Sequence, residues 1–214
     1  FKYEVTSLVK LGVTNRLEVT VAKHSANASV NNAERNADYW VFGGIFRPVY
    51  LEAVPQQFIE RVALDAQVDG RFSADVYLND ATNADAIEAQ IQTLDGKNVG
   101  SPFAEKITGE KITLSAQAQS PKLWTAETPN LYAVEIRLKR GSEIIHKIHQ
   151  RFGFRTFEVR EGDGLYLNGQ RVILKGADRH SFWPDSGRCL SEAVYRLDIQ
   201  ALKDANMNAV RMAH

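Results

Sequence analysis

Cysteine is nearly absent from this chain of 214 residues: Cys189 stands alone, so no internal disulfide can form. A chain of this length does not need one to hold a core. Net charge is absent as well, with 26 Lys and Arg against 26 Asp and Glu. That balance removes any general electrostatic case for nucleic acid or an anionic membrane as partner. No apolar run approaches the roughly 20 residues that a membrane-spanning helix requires. There is no basic stretch followed by an apolar one of the kind that marks a secretory leader. The chain opens on Phe1 inside what reads as a strand, so it reads as cut at both ends. Compartment stays open between cytoplasm and periplasm. No G-x-G-x-x-G follows a strand, and no helix is expected after Gly43-Gly44, which excludes a dinucleotide or phosphate cradle there.

What the sequence has in quantity is alternation. VALDAQV (62–68) and FSADVYL (72–78) each place every second residue on an apolar face, and Asp69-Gly70 between them is a hairpin signal. IEAQIQT (87–93), KITLSAQA (111–118), YAVEIRL (132–138) and IIHKIHQRFGF (144–154) continue the pattern, with Asp95-Gly96 and Gly141 as turn signals. About seven strands over a hundred residues predict an antiparallel sandwich of immunoglobulin type across residues 56–154. Before it, residues 16–24 and 39–54 read as strands and the polar stretch 25–38 as a loop.

Beyond residue 155 the grammar changes. GLYLNGQRVILKG (164–176) contains a hairpin at Asn168-Gly169, and RVILKGA (171–177) reads as a buried strand. GADRHSFWPDSGR (176–188) reads as a loop. LSEAVYRLDIQALKDANMN (190–208) predicts a helix, with Ser191 as N-cap, Glu192 in its first turn and an apolar stripe through Val194, Leu197, Ile199, Ala201, Leu202 and Ala205. NAVRMA (208–213) predicts a second buried strand. Strand, helix, strand is one βαβ unit, and one unit closes neither a sheet nor a barrel. Its strand edges and apolar faces are therefore expected to lack cover.

Three stretches in order carry a resemblance: DYWVFGGIFRPVYL (38–51), LWTAETPNLYAVEI (123–136) with FGFRTFEV (152–159), and LYLNGQRVILKGADRHSFWPDSGR (165–188) leading into MNAVRMAH (207–214). Together they resemble glycoside hydrolase family 2, which includes β-galactosidases, β-glucuronidases and β-mannosidases. The resemblance implies a mainly β chain. By that resemblance, residues 1–55 would be the end of a jelly-roll sugar-binding domain, 56–154 an immunoglobulin-like β-sandwich, and 155–214 the first βαβ portion of a (β/α)8 barrel. The implied chemistry is retaining hydrolysis of a β-linked glycoside, most nearly that of an exo-β-galactosidase, by two carboxyl groups about 5 Å apart. In the family both are glutamates at the ends of later barrel strands. The chain is then expected to be an inactive fragment, and Glu158, Glu161 and Glu192 are not expected to be that pair.

The resemblance also names pocket residues. Asp178 and His180 follow the first barrel strand, and Arg211 and His214 lie on and after the second. The histidines meet sugar hydroxyls and the arginine supports the nucleophilic carboxylate. Asp38 matches an acidic residue that the family's jelly roll lends to the sugar site; in the β-galactosidase branch that residue can also touch sodium. Sodium or magnesium is the only metal implied for the parent enzyme, and no other cofactor. Trp183 stacks on a pyranose or packs beneath its loop, two readings that stay open. His180 alone would read as an ordinary loop histidine. His146 and His149 have metal-pair spacing, but residues three apart on a strand face opposite ways. A homo-oligomer stays open. The competing reading is a non-catalytic module in which the sandwich itself binds carbohydrate or acts as a scaffold.

Overall fold

The computed structural model describes residues 2–36 and 42–213. Its chain divides into two compact units, Leu51–Ala177 with Leu202–Val210, and Phe1–Tyr50 with Asp178–Ala201 and Arg211–His214.

Seven strands build the sandwich: β1 (Ile59–Ala66), β2 (Arg71–Leu78), β3 (Ala86–Thr93), β4 (Phe103–Lys106), β5 (Lys111–Gln117), β6 (Tyr132–Arg140) and β7 (Glu143–Phe152). They pair in two sheets, β1-β2-β5 and β4-β3-β6-β7, with antiparallel neighbours throughout. Alternation places Phe72, Ala74, Val76, Leu78, Ile87, Ala89, Ile91, Leu114, Val134, Ile136 and Leu138 in one core. Phe152 and Phe154 close one end of it, with ring centroids 5.3 Å apart, and Phe72 and Tyr132 pack against them. The Asp69-Gly70 turn needs its glycine. Gly70 sits at φ +86°, and a Cβ there would meet the Ala118 carbonyl oxygen at 2.1 Å. The sequence reading passed over β4. Its pairing with β3 puts the fourth strand beside the β3-β6-β7 set rather than in the other sheet, where an immunoglobulin constant domain has it.

A knot of hydrogen bonds ties the sandwich to the segment after it. Trp124 N donates to Phe154 O at 2.9 Å and Arg155 N to Ala66 O at 2.9 Å. The Arg155 guanidinium lies 4.5 Å over the Trp124 ring. Thr156 Oγ1 donates to Gln67 at 2.7 Å and accepts from Val68 N at 3.1 Å. Asn168 completes the knot: its Oδ1 accepts from Thr156 N at 2.9 Å, and its Nδ2 donates to Trp124 O at 3.0 Å. Asn168 is the first turn residue of the hairpin between β9 (Gly164–Leu167) and β10 (Gln170–Val172). Asn168 and Gly169 both have positive φ, 52° and 78°, as a type I′ turn requires. β8 (Phe157–Arg160) adds a third strand in the order β10-β9-β8.

The expected buried strand RVILKGA is corrected. β10 stops at Val172, and Ile173 and Leu174 are 65% and 52% exposed. Their stretch of backbone bonds to Asn208 instead of a neighbouring strand: Asn208 Nδ2 donates to Ile173 O at 3.1 Å, and Lys175 N donates to Asn208 Oδ1 at 2.8 Å. The strand resumes as β11 (Gly176–His180), so GADRH is strand and not loop. The helix α2 (Glu192–Asp204) follows, its start capped by Ser191 Oγ accepting from Val194 N at 3.4 Å. Then β12 (Ala209–Ala213) pairs with β11.

The opening segment departs from expectation. Residues 16–24 and the described residues 42–54 form no strand. Leu17, Val19 and Val21 keep their alternation but are half or more exposed, because a strand without a hydrogen-bonded neighbour gains nothing from extension. The stretch expected as a loop holds a helix, α1 (Ala28–Arg35), started by Asn27, whose Oδ1 accepts from Ser29 N at 3.0 Å and Val30 N at 3.2 Å. The strands expected of a jelly-roll end are thus missing from the described residues, while the chain as a whole is mainly β.

Candidate active site

β11 and β12 place the sequence-predicted residues. Asp178 and His180 lie within β11 itself, not after it, as the shifted strand start requires. Arg211 lies in β12 and its Nη1 is 3.3 Å from Asp178 Oδ2, with both side chains more than half exposed. A charge pair so open to water is worth little for stability. The pair brings two opposite charges together between β11 and β12. Residues two apart on a strand share a face, so His180 stands on the same side as Asp178.

Trp183 lies in the loop after β11 and is half-buried. The loop is tight: Trp183 N donates to Gly187 O and Gly187 N to Trp183 O, each at 2.8 Å. Within the same compact unit, Phe182 stacks on Phe42 with centroids 5.8 Å apart, and the Arg188 guanidinium lies 4.6 Å over the Phe46 ring. Residues 42–46 therefore reach the loop that carries Trp183. Asp38 and His214 lie outside the described residues.

One charged residue beside these candidates escaped the sequence reading. Arg179, between Asp178 and His180, is only 8% exposed. Its partner Asp198 sits inside the apolar stripe of α2, and a carboxylate there was the signal that a cation would come to meet it.

Two of the three other glutamates considered from the sequence are held by arginines. Glu158 is held by Arg160 at 2.8 Å and Glu192 by Arg196 at 2.5 Å; Glu161 lies exposed in the turn before β9. His146 and His149 point apart, as their spacing predicts. His146 Nδ1 accepts from Ile59 N at 3.1 Å, whereas His149 Nε2 is 2.9 Å from Glu135. Among the described residues, no group of three or more His, Cys, Asp or Glu could hold a metal ion.

The outer faces of the sandwich offer no aromatic platform for a sugar. Its exposed large hydrophobic residues are Leu94 and Ile144, and Tyr77 is covered by Arg61 at 3.8 Å. The four-stranded sheet carries ion pairs there instead. Arg137 bridges Glu88 and Glu135, joined by Lys139 at 3.2 Å from Glu88 and Lys147 at 3.6 Å from Glu135. The cations around Glu88, Lys139 first, hold its carboxyl below the usual range. Burial pushes Glu135 up, but Arg137, Lys147 and His149 outweigh it and leave the carboxyl lowered.

Two family models together match this chain from residue 57 onward. Residues 57–155 match glycosyl hydrolases family 2, and residues 157–214 match the TIM barrel domain of the same family. The chain belongs to glycoside hydrolase family 2. A β-galactosidase of Lactobacillus delbrueckii subsp. bulgaricus is 32% identical over 219 residues, covering 100% of this chain and 21% of that protein. The structure of a β-glycosidase from Bacteroides vulgatus superposes with a TM-score of 0.70 at 23% identity, over 82% of this chain and 23% of that one. A β-glucuronidase of Ruminococcus gnavus does so at 0.62 and 21%, over 75% and 26%. The chain spans about a quarter of the length of the curated relatives it matches. The family's barrel model begins at Phe157, the first residue of β8, so the β8-β9-β10 sheet, β11, α2 and β12 all fall within the barrel match.

Proposed function

We propose that these residues belong to a retaining exo-β-glycosidase, β-galactosidase-like in its choice of sugar, and that β11 and β12 form one wall of its sugar pocket. The carrying observation is the Asp178–Arg211 pair, which joins the two barrel-matched strands at the residues expected to face substrate. Barrel enzymes build their sites at the C-terminal ends of strands, where Asp178 and His180 stand in β11. Asp178 and His180 bind sugar hydroxyls, and Arg211 supports the carboxylate that attacks the anomeric carbon. Trp183 borders the pocket. Asp38 and His214 complete it; the reach of residues 42–46 to the loop after β11 supports a contribution from the segment around Asp38. The parts are the end of a jelly roll at 1–55, a sandwich at 56–154 and the start of the barrel at 155–214.

Retaining hydrolysis needs an acid and a nucleophile about 5 Å apart. Both lie on later barrel strands, so the 214-residue chain alone does not turn over. The substrate is a β-linked oligosaccharide or glycoside. Chromogenic β-D-galactoside, β-D-glucuronide and β-D-mannoside, offered to the full-length polypeptide and to this chain, test the reading. Hydrolysis by the former alone, with the galactoside best, is expected. Turnover by the 214-residue chain that survives stringent purification overturns it.

A further inference from the structure

Among the described residues 157–213, Arg179 is the one buried charged side chain. It stands between Asp178 and His180, and the pleat of β11 sends it to the opposite face from both. Its Nε donates to Asp198 Oδ2 at 2.8 Å, and its Nη2 lies 2.6 Å from the same oxygen. Nη1 donates to Ser181 Oγ at 3.2 Å. The guanidinium carbon sits 4.7 Å over the ring of Tyr195. Tyr195 and Asp198 are three residues apart on α2 and so share a face of it. One planar group thus grips the strand, the start of the following loop and the helix together.

We infer that Arg179 is a positioning residue for the glycosidase reaction: it fixes the phase of the β11 pleat so that Asp178 and His180 present to the sugar. This rests on the pocket reading above. A strand's faces alternate residue by residue, so pinning one residue to the helix side commits its two neighbours to the other side. The requirement is for arginine and not merely for charge. The planar guanidinium donates to Asp198 through Nε with Nη2 in ion-pair range of the same oxygen, donates to Ser181 through Nη1 and stacks on Tyr195, whereas a lysine ammonium offers a single point of contact. Arg179 itself touches no substrate in this scheme.

The test has two arms. In the full-length polypeptide, kcat is measured per site titrated with a 2-fluoro glycoside that traps the covalent intermediate, for the native protein, Arg179→Lys, Arg179→Met and Asp198→Asn. Arg179→Met is expected to lower kcat per titrated site about tenfold or more, with Asp198→Asn close to it and Arg179→Lys partly restored. A fall in the fraction of active enzyme with unchanged kcat per site means a merely structural role and overturns the inference. In the 214-residue chain, Arg179→Met is expected to speed amide exchange at 178–181 and along α2 about tenfold, leaving β3 and β6 unchanged. Unaltered exchange overturns the clamp. A native full-length polypeptide that hydrolyses none of the β-glycosides overturns the pocket reading and the positioning role with it, while exchange still decides whether the clamp exists.

Discussion

The sandwich and the segment after it are written with the same kinds of apolar residue and dispose of them in opposite ways. In residues 57–155, alternation ends in a shared core in which Ala74, Val76, Ile87, Leu114, Val134, Ile136 and Leu138 are wholly enclosed. In residues 157–213, Ile173, Leu174, Leu197, Ile199 and Met212 stand 45–65% exposed, and α2 buries none of its residues. The difference lies in what each architecture needs. An antiparallel sandwich finds every partner within a hundred residues, because each strand pairs with one nearby and the second sheet covers the first. A βαβ unit presents apolar surface to elements on either side and cannot supply them itself. Apolar pattern states what a segment is able to bury; the number of neighbours decides what it does bury.

The largest effects therefore belong to the sandwich. Ile136→Ala or Phe72→Ala in the 214-residue chain should cost about 3–5 kcal/mol, from lost transfer energy and the cavity left behind. Domain stabilities are about 5–15 kcal/mol, so either change should abolish or nearly abolish the urea transition followed by far-ultraviolet circular dichroism. A loss of under about 1 kcal/mol would mean that the core relaxes freely and would erase the contrast between the regions.

Next comes the knot between them. Asn168→Ala removes two side-chain hydrogen bonds, to Thr156 N and Trp124 O, and puts a Cβ-bearing residue without Asn's tolerance at φ +52°. A loss of about 2 kcal/mol is expected. Asn168→Asp keeps the acceptor for Thr156 and loses the donor to Trp124, so it should lie between. Amides of β9 and β10 should lose protection while those of β3 and β6 keep theirs. Equal loss in both sets would show one cooperative unit instead of two regions.

These two cases also show what the sequence disclosed. Strand alternation, the Asp69-Gly70 and Asn168-Gly169 turns and the Ser191 cap are local rules, and each was legible. Every strand of the sandwich but the short β4 could be read. The start of β11 was not, because the amide of Asn208, some thirty residues on, takes the backbone bonds of 173–175. Residues 16–24 were misread for the converse reason: their pattern is that of a strand, but among the described residues no partner strand pairs with them. Of the residues proposed for the pocket, Asp178, His180, Arg211 and Trp183 came from resemblance, and the Asp178–Arg211 pairing came from the fold. Arg179 was hidden because a buried cation shows only through its partner, and Asp198 had to be noticed inside an apolar stripe.

Acid should reach the sandwich in two separate stages. Burial holds His146 below its ordinary value of 6.5, against the opposing pull of Glu52. Because the folded value is the lower one, the fold binds this proton less readily than the unfolded chain does. The stability of the neutral form is complete above pH 6.5 and declines as pH falls below it toward the folded value. Glu88 and Glu135 are lowered from 4.5, so their contribution is complete above that pH and is lost as pH falls through their folded values. Urea midpoints across this range should show both declines. His146→Asn keeps an acceptor for Ile59 N and should remove the first decline alone. A first decline that persists in this variant would assign it elsewhere.

The smallest effect is expected where the apolar residues look most core-like on paper. Leu197 and Ile199 occupy the stripe that predicted a packed helix, yet they are 55% and 45% exposed. Leu197→Ser or Ile199→Thr in the 214-residue chain should change the unfolding free energy by less than about 0.5 kcal/mol, the range of ordinary surface substitutions. The same substitutions in the full-length polypeptide should cost about 2 kcal/mol or more, because later barrel elements would cover the stripe. The ratio between the two chains measures how far neighbour supply, and not sequence pattern, governs burial. A large cost already present in the short chain would show that α2 finds a partner there, and the contrast with the sandwich would then be one of degree.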